Sequence, residues 1–94
     1  MIHDCKTVRA RITGRVQGVS FRDWTRREAE RLGLSGWVRN EADGSVAALI
    51  VGPQAEVSTM MELLWDGPPA ASVAGVETGE ETIAETPAGF RIER

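Results

Sequence analysis

Residues 6–32 read KTVRARITGRVQGVSFRDWTRREAERL, and the spacing of their apolar residues changes once along this stretch. Apolar and polar residues first alternate, which predicts a half-buried strand over Lys6–Thr13. From Phe21 the apolar spacing fits one face of a helix, and Gly33 is of the type that ends one. Because residues 14–19 separate the two patterns with two glycines, the stretch predicts a strand, a loop and a helix.

The start of this helix carries a possible capping signal. Ser20 directly precedes the helical pattern, and serine is among the residues that cap a helix through their side chains. Asp23 follows three residues later and is the acidic partner in a weak variant of the capping box. We therefore expect the Ser20 side chain to cap the helix.

The remaining predicted elements follow in chain order: a strand at Ser35–Asn40, a hairpin turn at Asp43-Gly44, a central strand at Ser45–Val51, a helix opened by Gly52-Pro53, a strand at Ser72–Thr78 ended by Gly79, and a short strand holding Phe90 and Ile92. This order is the βαββαβ pattern of the ferredoxin-like fold. It predicts an α+β sandwich, with an antiparallel sheet and two helices on one face. Because the same fold hosts enzymes, RNA binders and metal chaperones, it assigns no function.

The length and composition restrict the class of protein. Ninety-four residues predict one domain over 1–94, and 41% hydrophobic residues are too many for a disordered chain. The apolar run Val46–Val51 is too short to span a bilayer, and Met1–Thr7 lacks the apolar segment of a signal peptide. Cys5 is the only cysteine and His3 the only histidine, which excludes a disulfide framework and leaves little for a metal site. We therefore expect a metal-free cytoplasmic protein with no membrane association.

The net charge of −3 conceals an asymmetry along the chain. Residues 1–40 hold nine basic and four acidic residues, whereas residues 41–94 hold two basic and ten acidic residues. One interpretation is an anionic ligand for the basic half. The other is that the two halves attract each other on the folded surface, and charge alone does not decide between them.

Residues 14–22, GRVQGVSFR, combine a glycine-bearing loop with the start of a helix. Such a place gathers unpaired backbone N–H groups at the positive end of the helix dipole, which favours an anion. Arg22 lies in the first helical turn, and its guanidinium can bind two phosphate oxygens at once. The loop lacks the lysine and the spacing of a Walker A motif. The residues alone leave two possibilities, an anion site and a tight turn beside a solvated arginine.

The second candidate is Asn40, which ends the predicted strand GWVRN just before the hairpin. Asparagine at such a place commonly satisfies the backbone of the turn. Its amide could instead hold a substrate or a water by hydrogen bonds. Neither interpretation is excluded by this segment alone.

Taken together, GRVQGVSFR and GWVRN, separated by one helix and followed by DGSV, closely resemble the acylphosphatase family. The resemblance extends from about Val8 to Ile92. It implies the ferredoxin-like fold and a hydrolase that cleaves the carboxyl–phosphate bond of acyl phosphates, releasing a carboxylate and inorganic phosphate. It also implies a monomer that needs no metal and no cofactor, with inorganic phosphate as a competitive inhibitor.

The resemblance also implies a role for seven residues. The backbone amides of the loop hold the phosphate, and they belong to Arg15, Val16, Gln17, Gly18 and Val19. Arg22 binds the phosphate oxygens, and Asn40 positions the attacking water. This inventory suits an activated substrate, because a carboxylate is a good leaving group and Asn40 has only to orient water.

Two other interpretations remain open. The chain could be a non-catalytic ferredoxin-like module that binds an anionic metabolite or RNA. The lack of tyrosine and an isoelectric point near 5.1 disfavour RNA and nucleic acid in general. The chain could also resemble the acylphosphatase-like module of larger carbamoyl-transferring maturation proteins, which the absence of zinc-finger cysteines disfavours.

Overall fold

The computed structural model describes residues 4–94. Its elements are β1 Cys5–Arg15, α1 Phe21–Arg31, β2 Ser35–Asn40, β3 Val46–Pro53, α2 Gln54–Asp66, β4 Ser72–Glu80 and β5 Phe90–Glu93. This order confirms the predicted βαββαβ pattern with a short strand at its end. The helix predicted after Gly52-Pro53 begins one residue beyond the proline.

The five strands form one sheet in the order β4-β1-β3-β2-β5. β3 lies at its centre, as its continuous apolar run predicts, and pairs antiparallel with both β1 and β2. β4 also pairs antiparallel with β1, whereas β5 pairs parallel with β2. The sheet is therefore antiparallel among its four longer strands and mixed at the edge formed by β5.

Both helices pack on the same face of this sheet, and the core lies between the two layers. The apolar side chains that β1 directs to that face are Val8, Ala10 and Ile12, all of them buried. They belong to one cluster with buried side chains of α1 and α2, among them Phe21, Ala29, Val57, Met60 and Leu64. The apolar side chains that produce the alternation in β1 and the helical spacing in α1 and α2 therefore pack into one core.

The end of β1 carries an irregularity that leads into the loop before α1. The register with β4 shifts between Thr13 and Gly14. Gly14 has a φ of 119°, and a side chain there would collide with the carbonyl oxygen of Ser72 and the backbone of Ala74. Only glycine fits this close approach, so Gly14 allows β1 to continue to Arg15 before the chain turns.

The prediction that Gly79 ends the fourth strand is wrong. β4 continues to Glu80, and Gly79 pairs with Arg9 of β1. The N–H of Glu81 then donates to the carbonyl oxygen of Thr7 at 3.0 Å. Since the backbone hydrogen bonds of β1 continue past the glycine, pairing between strands outweighs the low strand propensity of one residue.

The predicted hairpin turn joins β2 to β3. The N–H of Gly44 donates to the carbonyl oxygen of Glu41, and the N–H of Glu41 donates to that of Ser45. The Asp43 carboxylate accepts hydrogen bonds from the Ser45 hydroxyl at 2.6 Å, from Arg11 at 2.6 Å and from the Ser45 N–H at 3.0 Å. The Ser45 hydroxyl and then the Arg11 guanidinium hold the pKa of this carboxyl well below its usual range.

Asp43→Asn is expected to lower the melting temperature at neutral pH, because the ionised carboxylate accepts the stronger hydrogen bonds. The pKa of Asp43 is lower in the folded chain, so its contribution is present above the unfolded pKa, about 4, and is lost as the pH falls below that value. Thermal unfolding of both proteins from neutral to acidic pH checks this. A difference in melting temperature that does not change with pH would contradict it.

Candidate active site

A cleft of about 320 Å³ opens where the β1–α1 loop meets the ends of β2 and β5. Its lining consists of Val16, Gly18, Ser20, Phe21, Arg22, Asp23, Asn40, Ile92 and Arg94. The fold therefore brings Arg22 and Asn40, the two predicted catalytic side chains, into one cleft. Val16 and Gly18 of the predicted phosphate loop lie in the same lining.

The loop over residues 16–20 is fixed at its two ends and exposed in the middle. The side chain of Val16 is 1% exposed and that of Phe21 is 2% exposed, and both belong to the core. Between them Gly18 has a φ of 77°, a conformation that costs glycine little. A Cβ at this position would meet no atom within 4 Å, so the chain at Gly18 faces open space.

The backbone donors of this loop have no partners in the protein. Within residues 4–94, the N–H groups of residues 16–20 donate no hydrogen bond to another protein group. They lie next to the first turn of α1, where the helix also presents N–H groups without intrahelical acceptors. Together with the helix dipole, these donors favour an anion at this end of the cleft.

The prediction that the Ser20 side chain caps α1 is wrong. Ser20 occupies the N-cap position, but its side chain makes no capping hydrogen bond. Its backbone is left-handed, with φ 64° and ψ 26°, whereas side-chain capping requires an extended conformation. Its carbonyl oxygen still accepts the N–H of Trp24 at 3.0 Å. Ser20 therefore begins the helix through its backbone carbonyl, and its side chain accepts no hydrogen bond from the first N–H groups of α1.

Arg22 is half-buried and differs from most cations of the chain in having no acidic partner within the described residues. Of the eleven Lys and Arg residues, eight form an ion pair: Lys6, Arg9, Arg11, Arg26, Arg27, Arg31, Arg39 and Arg91. The three without one are Arg15, Arg22 and Arg94, and the last two line the cleft. Two guanidinium groups with no carboxylate partner therefore border one cleft.

The charge asymmetry of the sequence has a structural explanation. Several ion pairs join the basic first part of the chain to the acidic second part, as Lys6 does with Glu80 at 3.3 Å and Arg39 with Glu41 at 2.7 Å. The hydrogen bond to Glu41 also raises the pKa of Arg39. Mutual attraction of the two halves thus accounts for four of the nine basic residues in 1–40, namely Lys6, Arg9, Arg11 and Arg39. Arg26, Arg27 and Arg31 pair within α1, and Arg22 forms no ion pair within the described residues.

Asn40 ends β2 and pairs with Val46 of β3. Its partly buried side chain lines the cleft, and within residues 4–94 it makes no hydrogen bond to the turn that follows. The turn is closed instead by the backbone of Glu41, Gly44 and Ser45. The amide of Asn40 is therefore available to a ligand in the cleft, and it does not serve the turn.

Three of the predicted site residues do not line the cleft. Arg15 is exposed at the end of β1, opposite Ser72 of β4, and Val19 packs against the core. The side chain of Gln17 points to the β2–β3 turn, where it donates to two carbonyl oxygens. What the resemblance implies for these residues concerns their backbone N–H groups, so the directions of their side chains do not contradict it.

Sequence reasoning missed Arg94 as a cleft residue. β5 pairs parallel with β2, and Glu93 lies opposite Arg39. Because parallel neighbours end at the same edge of a sheet, the residue after β5 lies near Asn40, the last residue of β2. No local pattern indicates this pairing, since it depends on where a four-residue strand joins the sheet.

The structure also bears on metals and membranes. Across residues 4–94, no three His, Cys, Asp or Glu side chains lie together in a way that could hold a metal ion. Cys5 is exposed at the start of β1, and His3 lies outside the described residues. Neither helix in the described part of the chain is long and apolar enough to cross a membrane.

The fold defines a small α+β domain of ferredoxin-like architecture, in which loop residues with unpaired N–H groups and an arginine without a carboxylate partner in the described residues line one cleft. The sequence model of the acylphosphatase family matches residues 8–92. An acylphosphatase from Rhizobium meliloti is 65% identical over 94 residues, which cover 100% of this chain and 99% of the relative. The chain belongs to the acylphosphatase family, as its two motifs predict.

Solved structures agree with this assignment. An acylphosphatase from Coxiella burnetii superposes with a TM-score of 0.91 at 36% identity, covering 96% of this chain and 94% of that one. An acylphosphatase from Bacillus subtilis superposes with a TM-score of 0.90 at 34% identity, covering 94% of this chain and 98% of that one. The ferredoxin-like fold expected from the element order is therefore confirmed.

Ser20→Gly is expected to leave the free energy of unfolding unchanged or to raise it by up to about 1 kcal/mol, because glycine adopts the left-handed conformation without strain. The matched control is Ser58→Gly in α2, which should lose about 0.5 kcal/mol of helix stability. Denaturant unfolding of the three proteins measures both effects. A loss of stability in Ser20→Gly as large as that in Ser58→Gly would contradict the left-handed conformation of Ser20.

Proposed function

We propose that this chain hydrolyses acyl phosphates in the cleft beside the β1–α1 loop. The backbone N–H groups of residues 15–19 hold the phosphate, Arg22 binds its oxygens, and Asn40 positions the water that attacks phosphorus. The carboxyl–phosphate bond breaks, and a carboxylate and inorganic phosphate leave. The observation that carries the proposal is one cleft bordered by unpaired loop N–H groups, an arginine without a carboxylate partner and an asparagine amide.

The charge of the phosphoryl group explains the loop and the arginine. Phosphoryl transfer passes through a loose transition state in which negative charge is spread over the equatorial oxygens. Fixed donors aimed at those oxygens stabilise the charge without reorganising during the reaction. The loop supplies neutral N–H donors, and Arg22 supplies a full positive charge. Because no carboxylate competes for Arg22 in the described residues, its guanidinium is available to the substrate.

The chemistry of the substrate explains the asparagine. An acyl phosphate is a mixed anhydride whose leaving group is a carboxylate, so the bond to phosphorus breaks readily. A strong general base is less necessary for such a substrate. The Asn40 amide has no basic group, but its oxygen and nitrogen can orient a water molecule by hydrogen bonds. The mechanism uses only protein groups and water, and it includes neither a cofactor nor a metal.

The proposed function also implies an inhibitor, a cellular location and an oligomeric state for this chain. Inorganic phosphate should compete with the substrate, because the loop recognises the phosphoryl part that both share. The small size of the chain supports one domain over 1–94, and its single cysteine supports a cytoplasmic location. The isoelectric point near 5.1 supports the lack of a nucleic-acid partner, and the proposal includes a monomer without a membrane partner. The acylphosphatase from Rhizobium meliloti, which this chain covers to 99% of its length, supports an enzyme of the same activity.

The face of the sheet opposite the helices gives little support to the alternative of an RNA-binding module. Such a module stacks bases on exposed aromatic residues of its central strands. Trp37 lies on that face, but Arg9 and Arg39 cover it at 5.4 and 4.5 Å from the ring centre. Both arginines also form ion pairs with acidic side chains, which reduces the positive charge available to a nucleic acid. The structure of the cleft therefore supports hydrolysis of acyl phosphates better than RNA binding.

Arg22→Ala is expected to lower kcat/KM by about a thousandfold or more, because it removes a full charge from the phosphoryl oxygens. Hydrolysis of benzoyl phosphate in the presence of EDTA measures the effect. Arg31→Ala is the matched control, since Arg31 ends the same helix and pairs with Glu28. Full activity in the Arg22 variant, or equal losses in both variants, would contradict the proposed role.

Asn40→Ala is expected to lower kcat about a hundredfold while changing the inhibition constant of inorganic phosphate by less than about threefold. The reason is that the amide acts on water, whereas the loop and Arg22 hold the phosphate. Steady-state kinetics with phosphate as the competing ligand separates the two quantities. Loss of phosphate affinity with an unchanged kcat would place Asn40 among the phosphate ligands instead.

A further inference from the structure

The side chain of Gln17 connects two parts of the candidate site that are far apart in the sequence. Its amide nitrogen, Nε2, donates to the carbonyl oxygen of Glu41 at 2.9 Å and to that of Ser45 at 2.9 Å. Both hydrogen bonds lie in a partly buried environment, where competition from water is reduced. They join the middle of the β1–α1 loop to the β2–β3 turn.

The two acceptors lie at the mouth of that turn, next to Asn40. Glu41 directly follows Asn40, and Ser45 directly precedes Val46, which pairs with Asn40 across the two strands. The carbonyl oxygen of Ser45 also accepts the N–H of Glu41 at 2.9 Å, which closes the turn. Gln17 therefore donates to Glu41 and Ser45, the two residues that follow the Asn40–Val46 pair on the side of the turn.

We propose that Gln17 is a positioning residue, whose side chain sets the distance between the phosphate-binding N–H groups and the Asn40 amide. This inference rests on the proposed function, because it needs phosphate at the loop and water at Asn40. It assigns Gln17 a task separate from that of its backbone N–H. The loop N–H groups hold one reactant, Asn40 holds the other, and Gln17 joins the two segments that carry them.

Few side chains can perform this task. A primary amide has two N–H donors on one nitrogen, and here both point to carbonyl oxygens. Methionine has a similar length and no donor. Asparagine keeps the amide but is one methylene shorter, so it cannot reach both carbonyl oxygens from the same backbone position. Gln17→Met therefore removes the N–H donors at nearly the same length. Gln17→Asn keeps the amide group but shortens the side chain.

The kinetic consequence should be specific. Without the two hydrogen bonds the loop still holds phosphate through its N–H groups and Arg22, but the Asn40 amide is no longer held at a fixed distance from it. Since a displacement of about 1 Å can cost on the order of a hundredfold in rate, the loss should appear in kcat. The affinity for phosphate should change little.

The experiment compares Gln17→Met and Gln17→Asn with Gln54→Met. Gln54 is the other glutamine of the chain and lies exposed at the start of α2, so it is the matched control. We expect kcat for benzoyl phosphate to fall about tenfold or more in both Gln17 variants, with the phosphate inhibition constant within about threefold. Gln54→Met should resemble the wild type. Unchanged kcat in the Gln17 variants would overturn the inference.

A purely structural role is distinguished by placing Gln17→Met in the Asn40→Ala background. If Gln17 acts through Asn40, the second substitution should lower kcat by less than about threefold once Asn40 has been replaced. A loss equal to that in the wild-type background would overturn the positioning role and leave the proposed function intact. Wild-type activity in Asn40→Ala would overturn both the positioning role of Gln17 and the role of Asn40 in the proposed mechanism, while the hydrolysis itself would stand. Gln17→Asn in the same background repeats the comparison if Gln17→Met does not fold.

Discussion

The backbone donors between β1 and α1 are the constraint on which the rest of the site depends. A loop that binds an anion through N–H groups must keep those groups away from protein acceptors, although unpaired donors are costly where water is excluded. Gly14 allows β1 to continue to Arg15, Val16 and Phe21 fix the loop to the core, and the left-handed Ser20 starts the helix without a side-chain cap. The fold thus keeps the donors of residues 16–20 unpaired and next to the cleft.

Ion pairs neutralise most of the other cations on the described surface. Four basic residues on the sheet pair with acidic residues of the second part of the chain, and three arginines of α1 pair with acidic residues of the same helix. These exposed pairs contribute little to stability individually. Their larger effect is on where an anionic substrate binds. Because most cations of the described surface are neutralised by a partner, the few cations without one attract the anion. Arg22 and Arg94 are such cations, and both border the cleft.

Local patterns predicted the elements, because periodicity is a property of short segments, whereas the resemblance to the acylphosphatase family implied the catalytic roles of Arg22 and Asn40. The changing period after Thr13, for example, predicted β1 and α1. Contacts set by distant pairing were not predictable in this way. They include the continuation of β4 past Gly79, which β1 imposes, and the bonds from Gln17 to a turn that lies 24 to 28 residues further along the chain.

A titration with inorganic phosphate, followed by ¹H–¹⁵N NMR of the backbone amides and the arginine side chains, shows whether phosphate binds at the loop. We expect the largest saturable shifts at the amides of residues 15–19 and at the side chain of Arg22. Arg22→Ala should weaken these shifts. Shifts confined to the opposite face of the sheet, around Arg9 and Arg39, with the loop amides unchanged, would mean that phosphate does not bind at the loop.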